Sequence, residues 1–221
     1  MTTRQQICPE ILPVFPLTGA LLLPGGRLPL HMFEPRYRNM VEDVLESAGF
    51  IGMIQPFKPA PQLDERQEPD LYEIGCAGVI ERWEQTDDGR YFVILKGVAR
   101  FRVSAELESV RGYRRVEADY EGFAGDLEEA PADVAADRII EALRAFGESH
   151  QVPLDLGKLD KLDKLSGLTL LNNVAMALPF QPAEQQALLE APDVDQRLET
   201  LLALIDMGIE MRAENPAPSL N

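Results

Sequence analysis

Ser149 and His150 stand side by side, the residue types of a nucleophile and its base. Acyl transfer at a serine needs that base within hydrogen-bond reach of the hydroxyl. Adjacent residues on a helix point in different directions, and Gly147 and Pro153 bracket a helix end here, so the pair reads as a polar terminus. Lys164 and Ser166 have the types of a Ser/Lys dyad, but residues two apart do not face each other on a helix. No Gly-x-Ser-x-Gly turn occurs. Nucleotide hydrolysis needs a glycine-rich backbone cradle for phosphate, and Gly157-Lys158 is followed by Leu159 and lacks the earlier glycine. Leu23-Pro24-Gly25-Gly26-Arg27 reads as a turn between strands. Cys8, His31, Cys76 and His150 have none of the close spacings of zinc ligands, and Asp87-Asp88 belongs to a hairpin tip. The sequence therefore predicts no catalytic residue, no metal and no cofactor. An enzyme built on a carboxylate site without a signature stays open as the weakest class.

What the residue types do support is recognition. Phe33, Tyr37, Trp83, Tyr91, Phe92 and Phe101 offer aromatic area, and Arg36 and Arg38 could serve as polar anchors. Alternating aromatics in a small barrel more often pack inward. Trp83 is the exception, because it lies in a hairpin arm among Glu81, Arg82 and Glu84. The candidate peptide or partner groove is Phe33, Arg36, Tyr37 and Trp83.

The elements that must position these residues change character along the chain. Ile11 to Pro16 and Arg27 to Leu30 alternate as strands around Gly-Pro punctuation. Pro35 suits the first turn of a helix continued by Tyr37, Met40, Val41, Val44 and Leu45, with Gly49 at its C-cap. Phe50 to Ile54 is a short apolar strand, and Lys58 to Asp70 reads as a mobile loop. Asp88-Gly89 between Val79–Glu84 and Tyr91–Leu95 predicts a tight hairpin. Arg100–Val103 and Tyr113–Ala118 add further strands. From about Gly122 the period becomes helical. Ile139, Ile140, Leu143 and Phe146 mark one helix, and leucines from Leu159 to Leu171 with Val174 mark a second. Pro182 opens a third, and Leu198, Leu201, Leu202, Ile205 and Ile209 lie on a fourth. The expectation is an α+β chain: a small, highly curved sheet or barrel with one short helix over 1–122, then a helical bundle over 123–221.

The chain has 221 residues with 21 basic and 37 acidic side chains, a formal net charge of −16. The count is 14 basic against 18 acidic up to position 120 and 7 against 19 beyond it, so the acidity lies mostly in the C-terminal part. Such a surface repels polyanions, which makes nucleic acid and acidic membranes poor partners. Two distant cysteines, a polar N-terminus and the lack of any run of about 18 apolar residues predict a reducing, cytoplasmic setting without a membrane span.

Leu12-Pro13-Val14-Phe15-Pro16-Leu17 and Leu23-Pro24-Gly25-Gly26-Arg27-Leu28-Pro29-Leu30-His31-Met32-Phe33-Glu34-Pro35-Arg36-Tyr37-Arg38 closely resemble the N-terminal, substrate-binding domain of ATP-dependent Lon proteases. Gly75 to Ile80, Leu95 to Val103, and Leu178-Pro179-Phe180 with Glu184 to Pro192 look like the same domain. The resemblance implies a PUA-like β-domain followed by a helical bundle. It implies a standalone, non-catalytic module without the ATPase and Ser/Lys peptidase domains, and it transfers no compact set of binding residues. The expected partner is an unfolded or degron-bearing polypeptide or a protein partner, a protease or chaperone among them; oligomeric state is left open. The alternative is an RNA-binding PUA-like module, drawing on Arg100, Arg102, Arg111, Arg114 and Arg115.

Overall fold

The structure, a computed structural model, describes residues 8–57, 69–127, 135–150 and 166–214. The loop expected over 58–70 and the first part of the second helix, Lys164 included, fall largely outside the described residues. The chain divides into two compact units, Met1–Glu129 and Ala130–Asn221.

In the first unit six strands run β1 (Ile11–Pro16), β2 (Arg27–Met32), β3 (Phe50–Ile54), β4 (Ile74–Gln85), β5 (Tyr91–Val110) and β6 (Tyr113–Asp119), with helix α1 (Pro35–Leu45) between β2 and β3. Their order across the sheet is β2-β5-β4-β3-β1-β6, and β6 returns to pair with β5, so five strands close into a barrel and β2 lies beside it. The pairing β1–β3 is parallel and the rest are antiparallel. Closure depends on the 20-residue β5, whose first part pairs with β2 and β4 and whose last part pairs with β6. Leu12, Val14, Phe50, Ile54, Ala77, Ala99, Phe101, Val116 and Ala118 fill the interior.

Local chemistry explains the corners. Pro35 opens α1, where its missing N–H is no loss; the C-cap is Glu46 and not Gly49, which follows three residues on at φ +74° and donates its N–H to Val44 O at 2.9 Å. Gly89, at φ +76°, allows the β4–β5 turn in which its N–H reaches Thr86 O at 2.8 Å. The Leu21–Leu23 segment crosses β5 at Gly97, which donates to Gly26 O and accepts from Gly25 N, each at 2.9 Å.

A 3-10 segment, Glu121–Leu127, belongs to this unit. The cause is a buried clamp. Asp126 accepts from the Arg100 backbone N–H at 3.0 Å and pairs with the Arg100 guanidinium at 2.8 and 3.1 Å, while that guanidinium stacks 4.4 Å over the Phe123 ring.

The second unit contains α2 (Ala136–His150), α3 (Gly167–Ala177), α4 (Pro182–Glu190) and α5 (Val194–Glu214). Ser166 is the N-cap of α3, accepting from Thr169 N–H at 3.3 Å, and Gln181 with Glu184 forms a capping box at α4. Ile139, Ile140, Leu143, Leu170, Leu171, Leu188, Leu189, Leu198, Leu201 and Ile205 bury one shared face. Arg197 is buried among them, donating to Leu188 O at 3.2 Å and Asn172 Oδ1 at 3.0 Å, and so ties α3, α4 and α5 together. Truncating the fully buried Leu171 or Leu201 to alanine is expected to cost about 2–5 kcal/mol in denaturant melts. A loss below about 0.5 kcal/mol would show that the faces are misassigned.

Candidate functional site

The six aromatics singled out in the sequence separate into two groups. Tyr37, Tyr91 and Phe101 are core; Phe33, Trp83 and Phe92 are exposed by 57%, 49% and 49%. Tyr37, at 6%, packs edge-on against Phe15 with ring centres 4.3 Å apart, and its ring lies under the Arg36 guanidinium at 4.6 Å. Arg36 also pairs with Glu34 at 2.9 Å. Arg38 lies against the β4–β5 turn, where its guanidinium occupies the space a side chain at Gly89 would need.

Strand register decides which of the exposed residues can act together. His31 is opposite Phe92, and residue 33 follows two positions on, so His31, Phe33 and Phe92 share one face. The His31 ring stacks on Phe92 at 4.4 Å and lies 5.7 Å from Phe33. Trp83 is opposite Val93, on the other face, with its ring 6.1 Å from that of the buried Tyr91. The groove of Phe33, Arg36, Tyr37 and Trp83 is therefore not assembled: Phe33 and Trp83 look away from each other, and Tyr37 is occupied by the core. His31 and Phe92 join Phe33 instead. The alternation of buried Tyr91, exposed Phe92 and buried Val93 carries the only sequence signal for this.

The resulting patch runs over β2 and the first residues of β5, with exposed Pro29 and half-buried Ile94 beside the rings. Arg27 and Glu81 close one end through a paired bridge at 2.6 and 2.8 Å, and Glu84 stands opposite Phe92 on β4. Among the described residues β2 pairs along one edge, with β5, leaving the other edge open. Pro29 is on this edge strand, the place in a sheet where a missing N–H costs least.

The basic cluster has a different fate. Arg100 is clamped to Asp126, Arg102 pairs with Glu73 at 2.6 Å, and Arg114 is held by Glu106 at 2.6 Å. Arg111 pairs with Glu42 at 2.8 Å and with Asp43, and Arg115 donates to Glu108 O at 3.0 Å. Four of the five guanidinium groups are thus paired with carboxylates, which weakens the patch on which RNA binding would depend.

Cys8, His150 and Ser166, named from the sequence, are each held in a structural role. Burial pushes the Cys8 thiol up to about 11, which keeps it protonated at neutral pH. His150 ends α2 with Nδ1 donating to Phe146 O at 3.0 Å, and Ser166 is engaged as a helix cap. Among the described residues no group of three or more His, Cys, Asp or Glu is placed to hold a metal ion, and no helix is long and apolar enough to cross a membrane.

The model of the ATP-dependent protease La (LON) substrate-binding domain matches residues 11–207. The chain belongs to the LON substrate-binding domain family. Lon protease 2 of Sorangium cellulosum is 28% identical over 216 residues, and the Lon protease of Escherichia coli K12 is 23% identical over 202. These matches cover 91% and 90% of this chain but 25% of each protease, so the chain spans about a quarter of the length of these relatives. Among solved structures, the Lon N-terminal domain protein from Xanthomonas campestris has a TM-score of 0.60 at 25% identity, covering 87% of this chain and 97% of that one. The N-terminal domain of the Mycobacterium avium complex Lon protease has the same fold, with a TM-score of 0.64 at 19% identity over 89% and 98% of the two chains. The matched LON region is the non-catalytic, substrate-binding one, and proteolysis is the activity of the longer relatives.

Proposed function

We propose that this LON substrate-binding domain captures extended segments of unfolded or degron-bearing polypeptide in the cytoplasm and passes them to a protease or chaperone. The observation that carries the reading is the exposed His31, Phe33 and Phe92 cluster beside the open edge of β2. An extended segment adding to that edge gains main-chain hydrogen bonds, and its alternate side chains fall on the aromatic face. Aromatic surface of this kind is sequence-tolerant, which suits a reader of unfolded chains.

The test is fluorescence anisotropy of a labelled, permanently unfolded polypeptide titrated with the full chain. A Phe33→Ser/Phe92→Ser variant, folded by circular dichroism, is expected to bind at least about fivefold more weakly, because a few aromatic anchors carry most of such an interface. Trp83→Ala is expected to bind as the parent does. Loss of affinity in Trp83→Ala alone would move the contact to the opposite face, and absence of saturable binding by the parent would end the proposal.

A further inference from the structure

The second unit holds a groove that the reading above does not use. Phe146 and His150 at the end of α2, Phe180 in the α3–α4 connection, and Met207, Gly208 and Met211 on α5 line a groove of about 200 Å³. Glycine at 208 is what gives the groove a floor. A side chain there would come within 3.2 Å of the Phe146 ring, so its absence lets that ring approach α5 closely. The His150 ring continues the floor, stacked on Phe146 at 4.0 Å. Met207 and Met211 stand above it with 51% and 64% of their surface in solvent, the large apolar side chains most exposed in this unit among the described residues.

The volume is smaller than the roughly 300–1,000 Å³ of small-molecule sites, and fits one or two anchoring side chains of a larger partner. Unbranched, polarisable methionines adapt to varied apolar anchors. Charge names the rest of the partner. Glu184 stands at the groove, and α2 and α5 expose Glu141, Glu148, Asp206 and Glu210. Of the four arginines in these helices, Arg197 is buried and Arg138 is bound to Glu199 at 2.6 Å, while Arg144 is exposed and Arg212 half-buried, so the exposed carboxylates outnumber the remaining guanidinium groups and the surrounding field is negative.

From the methionine and phenylalanine groove and its acidic surroundings, we infer that this face docks a cationic amphipathic segment of a protein partner, with apolar anchors in the groove and Lys or Arg toward the carboxylates. The occupant differs from that of the β2 edge, which reads main chain rather than charge.

Two labelled peptides with identical leucine positions, one with lysine and one with glutamate between them, are titrated into the full chain by anisotropy. The lysine peptide is expected to bind at least about tenfold more tightly, and Met207→Gln/Met211→Gln to lose about tenfold of that affinity with its helix content unchanged. Phe33→Ser/Phe92→Ser is expected to leave it unchanged, so this inference and the β2 proposal fail separately. Equal binding of the glutamate peptide, full affinity in the methionine variant, or no saturable binding at all would overturn the inference. So would a parent dimer, seen by sedimentation, that the methionine variant abolishes, since the occupant would then be a second copy.

Discussion

Replacing Gly97 by alanine is expected to cost the β-unit more than about 3 kcal/mol and to leave it largely unfolded at 37 °C, a loss at the upper end for a single methyl group. The Cβ would stand 2.1 Å from Leu23 O and 2.8 Å from Leu23 C, both backbone atoms that no rotamer change can move. Relief requires the crossing segment to lift off β5, which would break the bonds from Gly97 N to Gly26 O and from Gly25 N to Gly97 O. The contrast is Gly122→Ala, where no atom lies within 4 Å and a change of less than about 0.5 kcal/mol is expected. Urea melts of both variants, followed by far-ultraviolet circular dichroism, check the pair; near-equal midpoints would mean that the crossing is not as close as described.

Arg197→Ala is expected to destabilise the helical unit by about 3–5 kcal/mol. The substitution empties the space of a long, fully buried side chain and takes the donors from Leu188 O and Asn172 Oδ1 at once. These two acceptors are uncharged, and through them the arginine acts as a hydrogen-bonding strut between three helices. Arg197→Met separates the two contributions. It restores most of the volume without the donors, and is expected to recover roughly half of the loss, in line with the penalty for leaving buried acceptors unsatisfied. If methionine is as stable as the parent, the hydrogen bonds contribute nothing, and if it is as poor as alanine, the filling does not matter.

Both positions show how far a single sequence can be read. The elements were legible where local chemistry and period agreed: Pro35 before the α1 stripe, Asp88-Gly89 between two β-rich runs, Pro182 at the head of α4, and leucines three and four apart in α5. A small curved sheet or barrel followed from strand count, and the family from the Phe-Glu-Pro-Arg-Tyr-Arg stretch among others. The continuity of β5 was hidden because Gly97 looks like a strand break, whereas it is the point where another segment crosses. Arg100 and Arg197 look like surface charges in sequence; what buries them is Asp126, 26 residues on, and Asn172, 25 residues back.

The candidate site was half legible for the same reason. Aromatic content pointed to Phe33 and Trp83, but the side each faces depends on register. The irregular pairing of β4 with β5 between Ile80 and Arg82 shifts that register by a residue, so that counting in twos along β4 cannot tell which face Trp83 joins. Phe92 drew less weight than Trp83, although its neighbours Tyr91 and Val93 are the better guide. Nothing in the period of α5 marks Met207 and Met211, since exposure of the last turns of α5 is a property of what packs nearby.

The barrel also has an order of events written into its pairing. β1, at residues 11–16, lies between β3 and β6, and β6 is not complete until residue 119. During synthesis from the N-terminus the first strand must wait for more than a hundred residues before its second neighbour emerges, and β5 cannot join β6 earlier. Closing so long a loop is slow compared with forming contacts between near neighbours in sequence. β1 and the last part of β5 therefore keep an unpaired edge until β6 is made, and closure of the barrel is a late step.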